Sequence, residues 1–160
     1  MKEKIVIRRA TLKDLKEIQR LSRLLFEKEY KEYDKSLDSA WNDGEGKKYF
    51  KNRITSKNGF VEVAELKDKV IGYLCGGLYE RRFYRVPGVY AELDNMFIEK
   101  RYRGSGVGTS FSRDFVAWCK TKKVRFIAVT ASAKNKHAIS FYRKVGFKDY
   151  NLTLEMMLKS

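Results

Sequence analysis

The stretch AELDNMFIEKRYRGSGVGTS, Ala91 to Ser110, decides how the chain is built, because a β-rich run passes through a basic, glycine-rich turn directly into a helix. Val89 to Ile98 reads as a long strand, and Phe111, Phe115, Val116 and Cys119 form the apolar side of the helix beyond the turn. Between them Gly104, Gly106 and Gly108 let backbone N–H groups converge on an anion, and the helix start adds about half a positive charge. A Cβ at those positions would hold the anion's oxygens away from the amides. Three loop patterns compete. A Walker loop needs Lys and then Ser or Thr after its last glycine, whereas Gly108 is followed by Thr109 and Ser110. The dinucleotide pattern GxGxxG fits Gly104 and Gly106, but Thr109 stands at its third glycine and no βαβ unit begins there. The pattern R/Q-x-x-G-x-G/A is met by Arg103, Gly106 and Gly108.

Downstream, Val124 to Val129 reads as a buried-type strand, Lys136 to Lys144 as a short helix and Leu152 to Leu158 as a closing strand. Upstream, Ile5 to Ile7 make a short strand, and Thr11 opens a helix with Asp14 in its first turn. Leu12, Leu15, Ile18, Leu21 and Leu25 put one apolar stripe on that helix. A polar, aromatic-spotted stretch from Glu27 to Glu45 precedes a second short helix carrying Tyr49, Phe50 and Ile54. Phe60 to Leu66 and Val70 to Leu78, joined by Lys67, Asp68 and Lys69, read as a hairpin. This order predicts an α/β fold, one mixed sheet covered by helices, in a single domain over residues 1–160.

Composition agrees with one globular domain. With 160 residues the chain can bury roughly 70% of the surface its unfolded form exposes. Ten Tyr, ten Phe and two Trp within 43% hydrophobic content exclude a disordered tail despite 34% charged residues. The net charge of +15 attracts phosphates without saying whether nucleic acid, membrane or a polyphosphate cofactor carries them. Cys75 and Cys119 lie in apolar stretches, match no metal spacing and read as buried free thiols of a reducing compartment. The single histidine, His137, argues against a zinc site, and no metal is expected. No apolar stretch at the N-terminus is long enough for a signal or a membrane span, so a cytoplasmic protein without a membrane partner is expected.

The strand AELDNMFI, the glycine loop, the strand RFIAVTAS (Arg125 to Ser132) and the segment NKHAISFYRKVGF (Asn135 to Phe147) resemble, in order and spacing, the GNAT superfamily of acyl-CoA-dependent N-acetyltransferases. The resemblance covers the whole chain in topology and is specific from Val89 to Phe147. It implies a mostly antiparallel sheet with a central splay, and acetyl-CoA as acyl donor. By the same resemblance the loop Arg103, Gly104, Ser105, Gly106, Val107, Gly108 and Thr109 binds the coenzyme's pyrophosphate. Met96, Phe97 and Ile98 then pair with the pantetheine arm as with an added strand, and Asn135 and Tyr142 match the family's Asn and Tyr beyond the cleft.

An amine must lose a proton before it attacks a thioester. In a regular strand Glu92, Asp94, Met96 and Ile98 share one face, so both acids look into the same cleft. Glu92, four residues before Met96, stands where several family members carry their base and is favoured over Asp94; a salt-bridging role is the other reading for each. The resemblance implies an oxyanion donor in the backbone N–H near Met96 and a general acid in Tyr142. It requires no covalent intermediate, so transfer in a ternary complex is expected.

Glu27 to Glu45 carries seven acids against three lysines, a local charge of −4, together with Tyr30, Tyr33 and Trp41. In the family this segment lines the acceptor side, where such a wall would attract a cationic amine and hold it by cation–π contact. A polyamine, an aminoglycoside-like molecule, a lysine side chain and a protein N-terminus all fit. The rival reading is a nucleic-acid- or ribosome-associated binding module, for which the charge and the loop Glu80 to Gly88 argue. A homodimer is common in the family.

Overall fold

The computed structural model describes residues 4–80 and 83–159, so Arg81 and Arg82 of the basic loop lie outside the described residues. Five strands, β1 (Val6–Arg9), β2 (Gly59–Leu66), β3 (Lys69–Tyr79), β4 (Val89–Ile98) and β5 (Val124–Val129), lie side by side in chain order. The first three pairings are antiparallel and β4 with β5 is parallel. Lys67 and Asp68 have φ of 48° and 59°, the left-handed pair that a two-residue hairpin turn requires to match strand twist.

Helices α1 (Leu15–Glu32) and α2 (Glu45–Thr55) cover one face of the sheet, and α3 (Val107–Thr121) covers the other. Ile18, Leu21 and Phe50 pack with Val63, Tyr73 and Phe97 on the first face. Phe111, Phe115 and Cys119 pack with Phe60, Leu74 and Leu93 on the second. Both cysteines are buried and free. The stripe of α1 holds from Leu15 to Leu25, but Leu12 belongs to a short 3-10 turn before the helix and is exposed. Asp14 is the reason: it accepts from the Thr11 N–H at 2.8 Å and from Arg8 twice at 2.9 Å, which fixes the turn ahead of the regular helix.

Two expectations fail at the far end of the sheet. The strand β5 is an edge, not a buried strand, with Phe126 50% exposed, and helix α4 (Lys136–Lys144) buries no residue fully. Leu152 to Leu158 forms no strand in this chain, since its backbone pairs with none of the described strands and a lone strand cannot satisfy its own N–H and C=O groups. No helix among the described residues is long and apolar enough to cross a membrane.

Candidate active site

The pairing of β4 with β5 stops at Leu93 opposite Val129, so Asp94 to Ile98 keep β3 on one side and a gap on the other. This is the expected splay. The Glu99 N–H donates to the Ile71 carbonyl at 2.9 Å, which sets the alternation along the strand. Phe97 turns its backbone polar groups toward β3, and those of Met96 and Ile98 point into the gap. Arg103 Nε donates to the Ile98 carbonyl at 2.8 Å from that open side.

The faces differ from those of a regular strand. Cys75 lies opposite Asn95 and Gly76 opposite Leu93, leaving Asp94 as the extra residue of a β-bulge. The bulge shifts the side-chain phase. Glu92 and Asp94 stay on the α1/α2 face, whereas Met96 and Ile98 pack with the α3-side core, so the four do not share one face.

The two acids also separate in chemistry. Asp94 accepts from the Tyr49 hydroxyl and from Arg53 Nε at 3.0 Å, and the Asp94 and Arg53 side chains are only 15% and 17% exposed. Burial raises the Asp94 carboxyl, and the Tyr49 hydrogen bond and then the Arg53 guanidinium pull against that rise. Asp94 is therefore tied into an ion pair. No hydrogen bond or ion pair among the described residues engages Glu92, whose carboxyl is raised by burial and by the neighbouring Asp94 charge. That is the protonation bias of a base. Tyr49 and Arg53 escaped the sequence reading as site residues; their signal is the four-residue spacing that puts both on one face of α2.

Tyr142 stands half-buried among Phe141 and Phe147, with ring centroids at 5.3 and 5.7 Å. Burial, and then the charge of Glu29 on α1, push its hydroxyl up to about 12, so it stays protonated. Glu29 appeared in the sequence only as one of seven acids. Asn135 caps α4, accepting from the Ala138 N–H at 3.0 Å, and His137 is exposed.

At the loop, Gly104 and Gly106 have φ of 77° and 86°, and nothing lies within 4 Å of where a Cβ would stand. Gly106 caps α3 in the left-handed conformation, and no side chain caps the first amides of the helix. Gly108 differs: a Cβ there would meet Phe141 at 3.2 Å and Ile98 at 3.5 Å, so this glycine permits close helix packing. Of the aromatic acceptor wall, Trp41 stacks on Phe26 at 5.2 Å and lines an open depression of about 580 Å³ with Glu45, Lys48, Tyr49, Asn52 and Arg53. Tyr30 and Tyr33 do not line it; they sit at the end of α1 with Lys35 and Lys28 over their rings.

The split sheet beside a glycine-capped helix, with carboxylates on the split strand, is an α/β arrangement shared by a known class of folds. The chain matches the Acetyltransferase (GNAT) family over residues 16–147 and belongs to it. An uncharacterized N-acetyltransferase of Methanocaldococcus jannaschii is 26% identical over 127 residues, 78% of this chain and 50% of that protein, so the chain spans about half the length of this curated relative. Among solved structures, a mutant of the BH1408 protein from Bacillus halodurans superposes with a TM-score of 0.78 at 20% identity, covering 96% of this chain and 99% of that one. Aminoglycoside N-acetyltransferase AAC(6')-Iy in complex with CoA gives 0.77 at 14% identity over 100% and 98%. An aminoglycoside acetyltransferase from an uncultured soil metagenomic sample, in complex with sisomicin, gives 0.68 at 22% identity over 97% of both chains. At these identities the likeness is one of fold.

Proposed function

We propose that this chain is an N-acetyltransferase that moves an acetyl group from acetyl-CoA to a primary amine of a small cationic acceptor, by direct attack in a ternary complex. The observation that carries the reading is the half-open strand Asp94–Ile98 beside the glycine-capped start of α3. The amides following Gly106, with Arg103, would hold the pyrophosphate, and the outward backbone groups of Met96 and Ile98 would pair with the pantetheine arm. The space that a Cβ would fill at Gly104 and Gly106 fits such a ligand. When bound, acetyl-CoA supplies the activated acyl group.

Glu92 takes the proton from the ammonium, directly or through one water, because it is the carboxylate on this strand that no hydrogen bond or ion pair among the described residues engages. The Met96 N–H, pointing into the gap, is placed to donate to negative charge on the acyl oxygen. Tyr142 holds its proton more tightly than a thiol does, so it serves the departing sulfur as a hydrogen-bond donor, and the second proton, shed by the nitrogen as the amide forms, neutralises the thiolate. The depression beside Trp41 offers the rings of Trp41 and Tyr49 to a cationic amine, with Glu45 at its rim paired to Lys48 at 2.9 Å, and the sisomicin-bound neighbour supports an aminoglycoside-like acceptor. A screen of polyamine, aminoglycoside and lysine-peptide acceptors with thiol release as readout tests the reading. Absence of any thermal shift at millimolar acetyl-CoA would overturn it, and filter binding of nucleic acid without thiol release would favour the binding-module reading.

A further inference from the structure

The charge of the chain is not spread evenly. Residues 100–149 carry thirteen Lys and Arg against two acids, Asp114 and Asp149, a net +11 within a chain of +15. Both acids are already paired with an arginine, Asp114 with Arg113 at 3.0 Å and Asp149 with Arg143 at 2.6 Å. Bound coenzyme A brings about four negative charges, on its pyrophosphate and its 3′-phosphate, and so leaves most of this excess unanswered.

The part that the coenzyme cannot reach lies at the other end of the sheet. Strand β4 is ten residues long, so Val89 stands roughly 30 Å from Ile98 and the glycine loop. Helix α3 runs back along it, and its end leads through Lys120, Lys122 and Lys123 into β5 at Val124, opposite Val89. Arg125 Nη1 donates to the Pro87 carbonyl at 3.4 Å, which ties the loop before β4, with Arg85, to the same corner. No ion pair among the described residues engages Arg85, Lys120, Lys122, Lys123 or Arg125. The end of a helix attracts about half a positive charge, less than three lysines supply.

Rings alternate with these cations. Phe83 is 98% exposed, Tyr84 59% and Phe126 50%. Arg85 lies 5.3 Å from the centre of the Tyr84 ring, Arg125 5.8 Å from that of Phe126 and Lys122 5.7 Å from that of Trp118. Phe83, Arg85, Pro87 and Tyr90 also line a depression of about 290 Å³, with Glu80 the acid among its lining residues. We propose that this corner binds single-stranded nucleic acid alongside the coenzyme, its cations tracking the phosphates while Phe83 and Tyr84 stack on bases. A single strand uses both features, because every base has a face to stack and every linkage a charge. A duplex hides its base faces and would leave Phe83 idle, and a flat anionic membrane would leave the depression empty.

The test is fluorescence anisotropy of labelled oligouridylate and oligothymidylate, about 20 nucleotides long, with the full chain, a readout separate from thiol release. Binding is expected with a Kd of about 1–100 µM at roughly 0.15 M salt, and log K should fall with log salt with a slope of about −3.5 for five phosphate contacts. Saturating acetyl-CoA should leave it unchanged. The double variant Lys120→Ala, Lys122→Ala should weaken binding about tenfold or more and make the slope shallower by about 1.4. Phe83→Ala should weaken it about fivefold or more at an unchanged slope. Both should keep the parent Tm and thiol release, and Lys13→Ala, in the turn before α1, should alter nothing. No binding at about 100 µM protein and roughly 0.05 M salt overturns the proposal, as does an affinity that the variants leave intact. Displacement by acetyl-CoA would put the strand at the glycine loop instead. A duplex bound as tightly and without regard to Phe83, or phosphatidylserine vesicles bound more tightly through the same residues, would overturn it in favour of a phosphate-only or a membrane surface.

Discussion

Replacing Asp94 by Asn and Glu92 by Gln separates the structural carboxylate from the chemical one. Asp94 pairs with Arg53 at 3.0 Å, both side chains less than one-fifth exposed, and accepts from Tyr49. Asn keeps an acceptor for Tyr49 but leaves the guanidinium buried beside a neutral group. Removing one partner of a buried pair costs about 3–5 kcal/mol, and the retained hydrogen bond brings the expectation for Asp94→Asn to about 3 kcal/mol. For a domain of this length that is a fall in Tm of roughly 6–12 °C. Glu92 has no such partner, and burial already disfavours its charge, so Glu92→Gln should leave Tm within roughly 2 °C of the parent or raise it. Turnover should show the opposite ranking. Without its base, Glu92→Gln should lose about 10²- to 10⁴-fold in kcat/KM at pH 7 and recover about tenfold per pH unit toward the amine pKa of about 10.4, as the neutral amine accumulates. Thermal unfolding at pH 7 and kcat/KM from pH 6 to 10 measure both. A Glu92→Gln enzyme with normal turnover, or an Asp94→Asn enzyme of unchanged Tm that shows the pH-recoverable loss, would refute the assignment.

Glu62 is buried on β2 with one carboxylate oxygen unpartnered, and burial lifts its carboxyl to about 7. Because the folded value lies above the unfolded one, the penalty is absent below about pH 4, accrues between there and about 7, and is full above; Glu62→Gln should therefore raise Tm at pH 8 and not at pH 4. Gly106→Leu, at a left-handed position with open space around it, should lose about 1–2 kcal/mol of stability and weaken acetyl-CoA binding measured by calorimetry. Gly108→Leu drives a side chain into Phe141 and Ile98, so its larger effect should be on Tm. Tyr142→Phe keeps the packing with Phe141 and Phe147, and single-turnover rates should fall about 10²-fold with acetyl-CoA affinity intact, a loss much reduced for a thioester with a more acidic leaving thiol.

The amino-acid pattern alone was enough for most of the framework. Local periodicity and turn chemistry put β4 at Val89–Ile98, β5 at Val124–Val129 and α4 at Lys136–Lys144 as the fold has them, and the glycines announced the turn into α3. Period-two reasoning then assigned Glu92, Asp94, Met96 and Ile98 to one face, and a single inserted residue undid it. A β-bulge leaves no mark in the sequence of one strand, because it is a mismatch in register between two. The same distance in sequence hid Tyr49 and Arg53, which come from α2 to hold Asp94 and thereby leave Glu92 as the uncommitted acid. Likewise, the strand pattern of Leu152–Leu158 was legible, but whether it forms a strand depends on an edge to pair with. Hydrophobic spacing determines which local structures a segment favours; which groups meet, and which stay unpaired, is decided only when distant segments are packed together.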